Sequence, residues 1–205
     1  MRKERTERLL HEHQTGSWST MSTEYFQLVG ILFQRSSQIG AGERSLWVYA
    51  GLPLLVAGIE AFLIEHQRLF TSTRRSGPLA GIEPLMDVVK SYNLPIPLVQ
   101  AIADLVEVRH EIIHPATPPF NPENYPEYVK RLQEMQLLDS HTAQSGAEVL
   151  SLLASHRLFE WGIDKCGELL HAVAASDPER SRMFAGLADN LREAVDISRR
   201  LEETV

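Results

Sequence analysis

Apolar residues recur along this chain at helical spacing, and no stretch alternates at the two-residue period of a half-buried strand. Tyr25, Phe26, Leu28, Val29, Ile31, Leu32 and Phe33 predict a largely buried helix over 20–39, closed by Gly40 and Gly42. Residues 43–70 predict a long apolar helix, kinked or restarted at Pro53. A short helical stretch follows over 82–92. Pro95 and Pro97 suit the first turn of the next helix, and Pro115 ends it by pushing His114 out of the α region. Residues 116–127 carry Pro118, Pro119, Pro122 and Pro126 and predict a surface-crossing loop. Residues 128–138 predict another short helix, and 145–175 and 178–203 two amphipathic ones, the last opened by Asp177 as N-cap and Pro178. The expectation is an all-α fold without internal repeats: a charged tail over 1–18, a helical core over 19–140, and a C-terminal helical pair over 141–205 packed on that core.

The apolar run over 46–64 is long enough to cross a bilayer. Gly51, Pro53, Gly58 and Glu60 interrupt it, and an acidic residue at mid-depth costs about 2.5–3.5 kcal/mol on insertion scales. A core helix buried on all sides accounts for the run without a membrane. The rest of the composition fits a globular domain: 205 residues can bury a substantial core, with 43% apolar and 23% charged residues. A net charge of −7 argues against a broad basic surface for nucleic acid. Cys166 is the single cysteine, so no internal disulfide forms. The charged first eight residues have no apolar run behind them, unlike a secretory signal. The expectation from these features is a cytoplasmic protein that does not enter a membrane.

Two chemical motifs overlap in Arg109-His110-Glu111-Ile112-Ile113-His114-Pro115. From His110 the spacing is H-E-x-x-H, in which two histidines on adjacent turns bind zinc and the glutamate activates water. A metzincin continuation fails, because Thr117 and Phe120 stand where glycine and the third histidine belong. Glu134 as an alternative third ligand has no supporting pattern. From Arg109 the same stretch is an arginine and a histidine with four residues between them at a helix end. At about 100° per residue, Arg109 falls among Ile102, Leu105, Ile112 and Ile113 on the apolar side, while Gln100, Asp104, Glu107 and Glu111 line the opposite one. A guanidinium cannot shed its proton to escape burial, so it needs an anion, an interface or a ligand. Glu60, isolated in its own apolar helix, is the intramolecular candidate; a bidentately held phosphate is the other. His110 and His114 lie four residues apart on one flank, and a helix C-terminus favours a cation at His114. Cys166, His11, His13, His141, His156 and His171 carry no catalytic or metal-ligand spacing.

The segment 109–115, at the end of an apolar helix in an all-α chain, resembles the R-x4-H motif of HEPN-domain proteins. The segment Gly58-Ile59-Glu60-Ala61-Phe62-Leu63-Ile64-Glu65 is similar to the glutamate-bearing helix that precedes the motif in many members. The resemblance covers roughly residues 20–140. It implies a helical bundle, here with additional C-terminal helices, that forms a homodimer with the two motifs facing each other. It also implies metal-independent endoribonuclease activity of the toxin–antitoxin or phage-defence kind, without a cofactor. Arg109 would stabilise the scissile phosphate, His114 would act as general base or acid on the ribose 2′-hydroxyl, and His110 and Glu60 would orient the site. Partners would be RNA and a protein such as an antitoxin. Other members have lost catalysis and bind RNA, nucleotides or proteins, so a silent interaction module stays open beside the ribonuclease.

Overall fold

The computed structural model describes residues 21–39, 41–70, 82–115, 122–138, 149–176 and 191. Among them every regular element is helical: α1 (Met21–Gln38), α2 (Ala41–Phe70), α3 (Ile82–Ser91), α4 (Ile96–Ile113), a 3-10 turn at Pro122–Asn124, α5 (Glu127–Glu134), α6 (Val149–Leu152) and α7 (His156–Ser176). The all-α expectation is met. The N-terminal tail and the helix expected over 178–203 lie outside the described residues, apart from the buried Leu191.

Helix α2 is the spine of the fold. It runs as one helix through Pro53 rather than restarting there. Antiparallel to it lies α1, while α4 and α7 pack on its other sides. Val48, Leu52, Leu55, Val56, Ile59, Phe62 and Leu63 are all buried at this centre. Removing such side chains from water, at roughly 25 cal/mol per Å² of apolar surface, is the dominant stabilising term. Two glycines make the packing close. A Cβ on Gly51 would stand 2.1 Å from the Phe159 ring of α7, and one on Gly58 would stand 2.5 Å from the Phe26 ring of α1. The glycines that interrupt the apolar run are therefore the points where aromatic rings sit on the α2 backbone. The span Leu46–His66 is long and apolar enough to cross a membrane, but half of it is buried inside the fold. Of its large apolar side chains only Leu46 is strongly exposed.

Polar links fasten the ends of the helices. The Ser22 hydroxyl donates to Glu65 Oε2 at 2.6 Å, tying the start of α1 to the end of α2. The Tyr49 hydroxyl donates to the Leu150 carbonyl at 2.7 Å, tying α2 to α6. The Ser36 hydroxyl donates to the Phe33 carbonyl and lies 2.8 Å from His156 Nδ1. A hydroxyl has one proton to give, so the Ser36 oxygen is placed to accept from the tautomer of His156 protonated on Nδ1. Its ring stacks on Phe33 with centroids 4.7 Å apart.

The stretch 145–175 differs from the single helix expected there. Within its described part, α6 ends after one turn and α7 begins at His156. The cause is Ser155, whose hydroxyl accepts from the Leu158 N–H at 3.4 Å as an N-terminal cap. A capping serine in a periodic apolar pattern starts a new helix at little cost to the pattern, so periodicity alone does not reveal the break.

Candidate functional site

The C-terminal half of α4 carries the motif. Pro95 precedes its first turn and Pro97 lies inside that turn, where the missing N–H costs nothing. At the other end His114 is the C-cap, with φ −131° and ψ 65°, and its N–H donates to the His110 carbonyl at 2.8 Å. The proline-imposed stop thus leaves His114 out of the helical conformation at the end of the exposed flank.

Arg109 is partly buried rather than sealed. The neighbouring apolar residues explain this: Leu105, Val106 and Val108 are buried, whereas Ile112 is partly covered and Ile113 is 44% exposed. The apolar side of α4 therefore emerges from the core around Arg109. Its charge acts on Glu60 of α2: burial pushes the Glu60 carboxyl above its ordinary range, and the Arg109 charge partly offsets this. No hydrogen bond or ion pair to Arg109 occurs among the described residues. Glu60 feels the Arg109 charge without an ion pair to it, and the guanidinium keeps its donors.

His110 and His114 are both exposed, and their rings lie together with centroids 5.4 Å apart and planes inclined at 55°. The structure therefore brings the His110 and His114 rings together, and sets Arg109 near enough to Glu60 for its charge to act there without an ion pair. It does not join Arg109 to His114. Five residues of continuous helix turn the side-chain direction by about 140°, and His114 itself stands outside the helical conformation as the C-cap.

The face opposite Arg109 corrects the wheel. Asp104, expected on the polar outer side, is 2% exposed. It accepts from Arg131 Nε at 3.2 Å and Nη2 at 2.5 Å, and from Gln100 Nε2 at 3.0 Å. That hydrogen bond to Asp104 pushes the Arg131 guanidinium further up. Tyr128, also on α5, is buried, and burial followed by the charges of Glu111 and Glu107 raises its hydroxyl. Helix α5 thus meets the acidic face of α4 at Asp104, through Arg131. No sequence period announces which face a short helix will cover.

Two further polar groups sit in the core. His66 is buried, with Nδ1 2.9 Å from the Tyr92 hydroxyl, and burial pushes Tyr92 up to about 12. Cys166 is fully buried, which raises its thiol far above the range of a nucleophile. Among the described residues no group of three or more His, Cys, Asp or Glu side chains has the arrangement of a metal site. His110 and His114 accordingly have no third protein ligand there. No family model, curated protein or solved structure matches the chain.

Proposed function

We propose that this chain is a HEPN-like protein that cleaves RNA without a metal, using Arg109 and His114. The observation that carries the reading is Arg109 itself: a partly buried arginine beside buried apolar residues of its helix, with no hydrogen-bonded anion among the described residues and an exposed imidazole pair at the end of the same helix. A desolvated guanidinium binds a phosphate more strongly than one in water. His114 would take the proton of a ribose 2′-hydroxyl as that oxygen attacks phosphorus. Arg109 would stabilise the negative charge of the phosphorane. As the P–O5′ bond breaks, the 5′-oxygen would take a proton from solvent and leave as a hydroxyl, the product keeping a 2′,3′-cyclic phosphate and His114 returning its proton to solvent. His110, beside His114, would orient it, and Glu60 would hold the Arg109 side chain toward its own helix.

Because Arg109 and His114 are not joined within one chain, the proposed site is completed by a second copy, with Ile112 and Ile113 as its apolar seal. The test is cleavage of a structured RNA by the purified full chain in EDTA. Arg109→Ala and His114→Ala should each lower the rate by about 100-fold or more. Cleavage that survives both substitutions sinks the site. A chain that dimerises but never cleaves RNA is the silent interaction module instead.

A further inference from the structure

We infer that His110 and His114 form a two-histidine chelate for a divalent transition-metal ion, Zn2+ or Cu2+, and that the bound ion switches the proposed nuclease off. The spacing of the rings is compatible with a chelate. Two imidazoles sharing a tetrahedral ion, with metal–nitrogen distances of about 2.0–2.1 Å, hold their ring centroids about 5 Å apart. The His110 and His114 centroids are 5.4 Å apart. Both side chains are exposed, and neither ring nitrogen has a hydrogen-bond partner among the described residues, so no internal contact must break. The other described histidines are engaged: His66 with Tyr92, His156 with Ser36, and His171 with partners of its own.

The chemistry selects the ion. Neutral imidazole favours borderline ions such as Zn2+ and Cu2+ over Mg2+ or Ca2+, which prefer oxygen. With two protein ligands the remaining positions belong to water, so the site is an open, reversible clip and not a structural zinc centre. Occupancy takes the lone pair that His114 needs to accept a proton. Inhibition, unlike binding, rests on the ribonuclease reading above.

Calorimetric titration of the metal-free full chain with Zn2+ decides the binding. One ion per chain is expected, weakened about tenfold or more in His110→Ala and in His114→Ala, and unchanged in the control His11→Ala/His13→Ala. Zn2+ should also raise the melting temperature of the wild type, because the ion holds two turns of folded helix, and should not raise that of either single variant. Circular dichroism checks that the variants fold, and His110→Gln replaces an alanine variant that does not. Binding that persists when both histidines are changed, or no stoichiometric binding at all, overturns the site. In the cleavage assay Zn2+ should stop the reaction and EDTA restore it; cleavage unaffected by saturating Zn2+ overturns the switch. If the wild type never cleaves RNA, the nuclease reading fails, while the titration still decides the chelate.

Discussion

Glu60 makes a sharp test at the scale of single residues, because two opposing effects act on one carboxyl. Burial raises it, and the Arg109 charge lowers it by less. A carboxyl that is more basic in the folded chain than in the unfolded one takes up a proton on folding. Its favourable contribution is therefore complete below the unfolded value of about 4.3 and is lost as pH rises through the higher folded value. Glu60→Gln keeps the shape and removes the charge, so it should make the protein more stable than wild type at pH 7. The gain should shrink toward zero on acidification to about pH 4. Glu60 is only partly buried, and solvent screening keeps the gain below about 1 kcal/mol. Urea unfolding at the two pH values measures it. A glutamine variant less stable than wild type at pH 7 would mean that the attraction to Arg109 outweighs desolvation.

Among the elements, α2 is the one on which the others depend, and its glycines carry the most exact information. Alanine at Gly51 would gain about 1 kcal/mol of helix propensity. It would also place a methyl group 2.1 Å from the Phe159 ring, which is itself fully buried and stacked edge-on against Phe33. The ring has no room to withdraw, and overpacking of this kind costs about 1–3 kcal/mol or more. Gly51→Ala is therefore expected to lower stability by roughly 1–2 kcal/mol net of the better propensity. Gly162→Ala, where the added carbon meets the mobile ends of Leu105 and Leu55 at 3.0 and 3.1 Å, should cost distinctly less. Thermal or urea denaturation of the two variants gives the order, and equal costs would contradict the packing argument. The same helix marks how far sequence reading reached. Its length, its centrality and its apolar character were legible in 43–70 because they depend on the composition of one segment. That Gly51 and Gly58 are seats for Phe159 and Phe26 was not, because it depends on which distant helices cross there. For the same reason α1 and α4 matched their expected bounds closely, while the burial of Asp104 by Arg131 and the break at Ser155 did not follow from any single-segment period.

For the whole molecule, the ribonuclease reading proposed above requires Arg109 and His114 to meet at one phosphate. The spacing of Arg109 and His114 suggested a pair; five residues of continuous helix turn the side-chain direction by about 140°, and on that reading the pair is completed by a second copy. A two-fold axis across the end of α4 would bring the two copies together there, since each patch then faces its own equivalent. The partly exposed Ile113 and Ile112 supply apolar surface for that contact. The chain of 23.1 kDa should accordingly sediment at twice that mass, and Ile113→Glu should give a helical monomer without cleavage. A mixing experiment locates the residues more directly. If each site takes Arg109 from one copy and His114 from the other, then Arg109→Ala and His114→Ala chains, each inactive alone, regenerate one intact site in every mixed dimer. Random exchange makes half the dimers mixed, so about a quarter of the wild-type sites should return. If both residues serve the same site from one chain, the mixture stays inactive. Recovery on mixing would place the Arg109–His114 pair across two copies, and its absence, with exchange verified by mass, would remove the shared site.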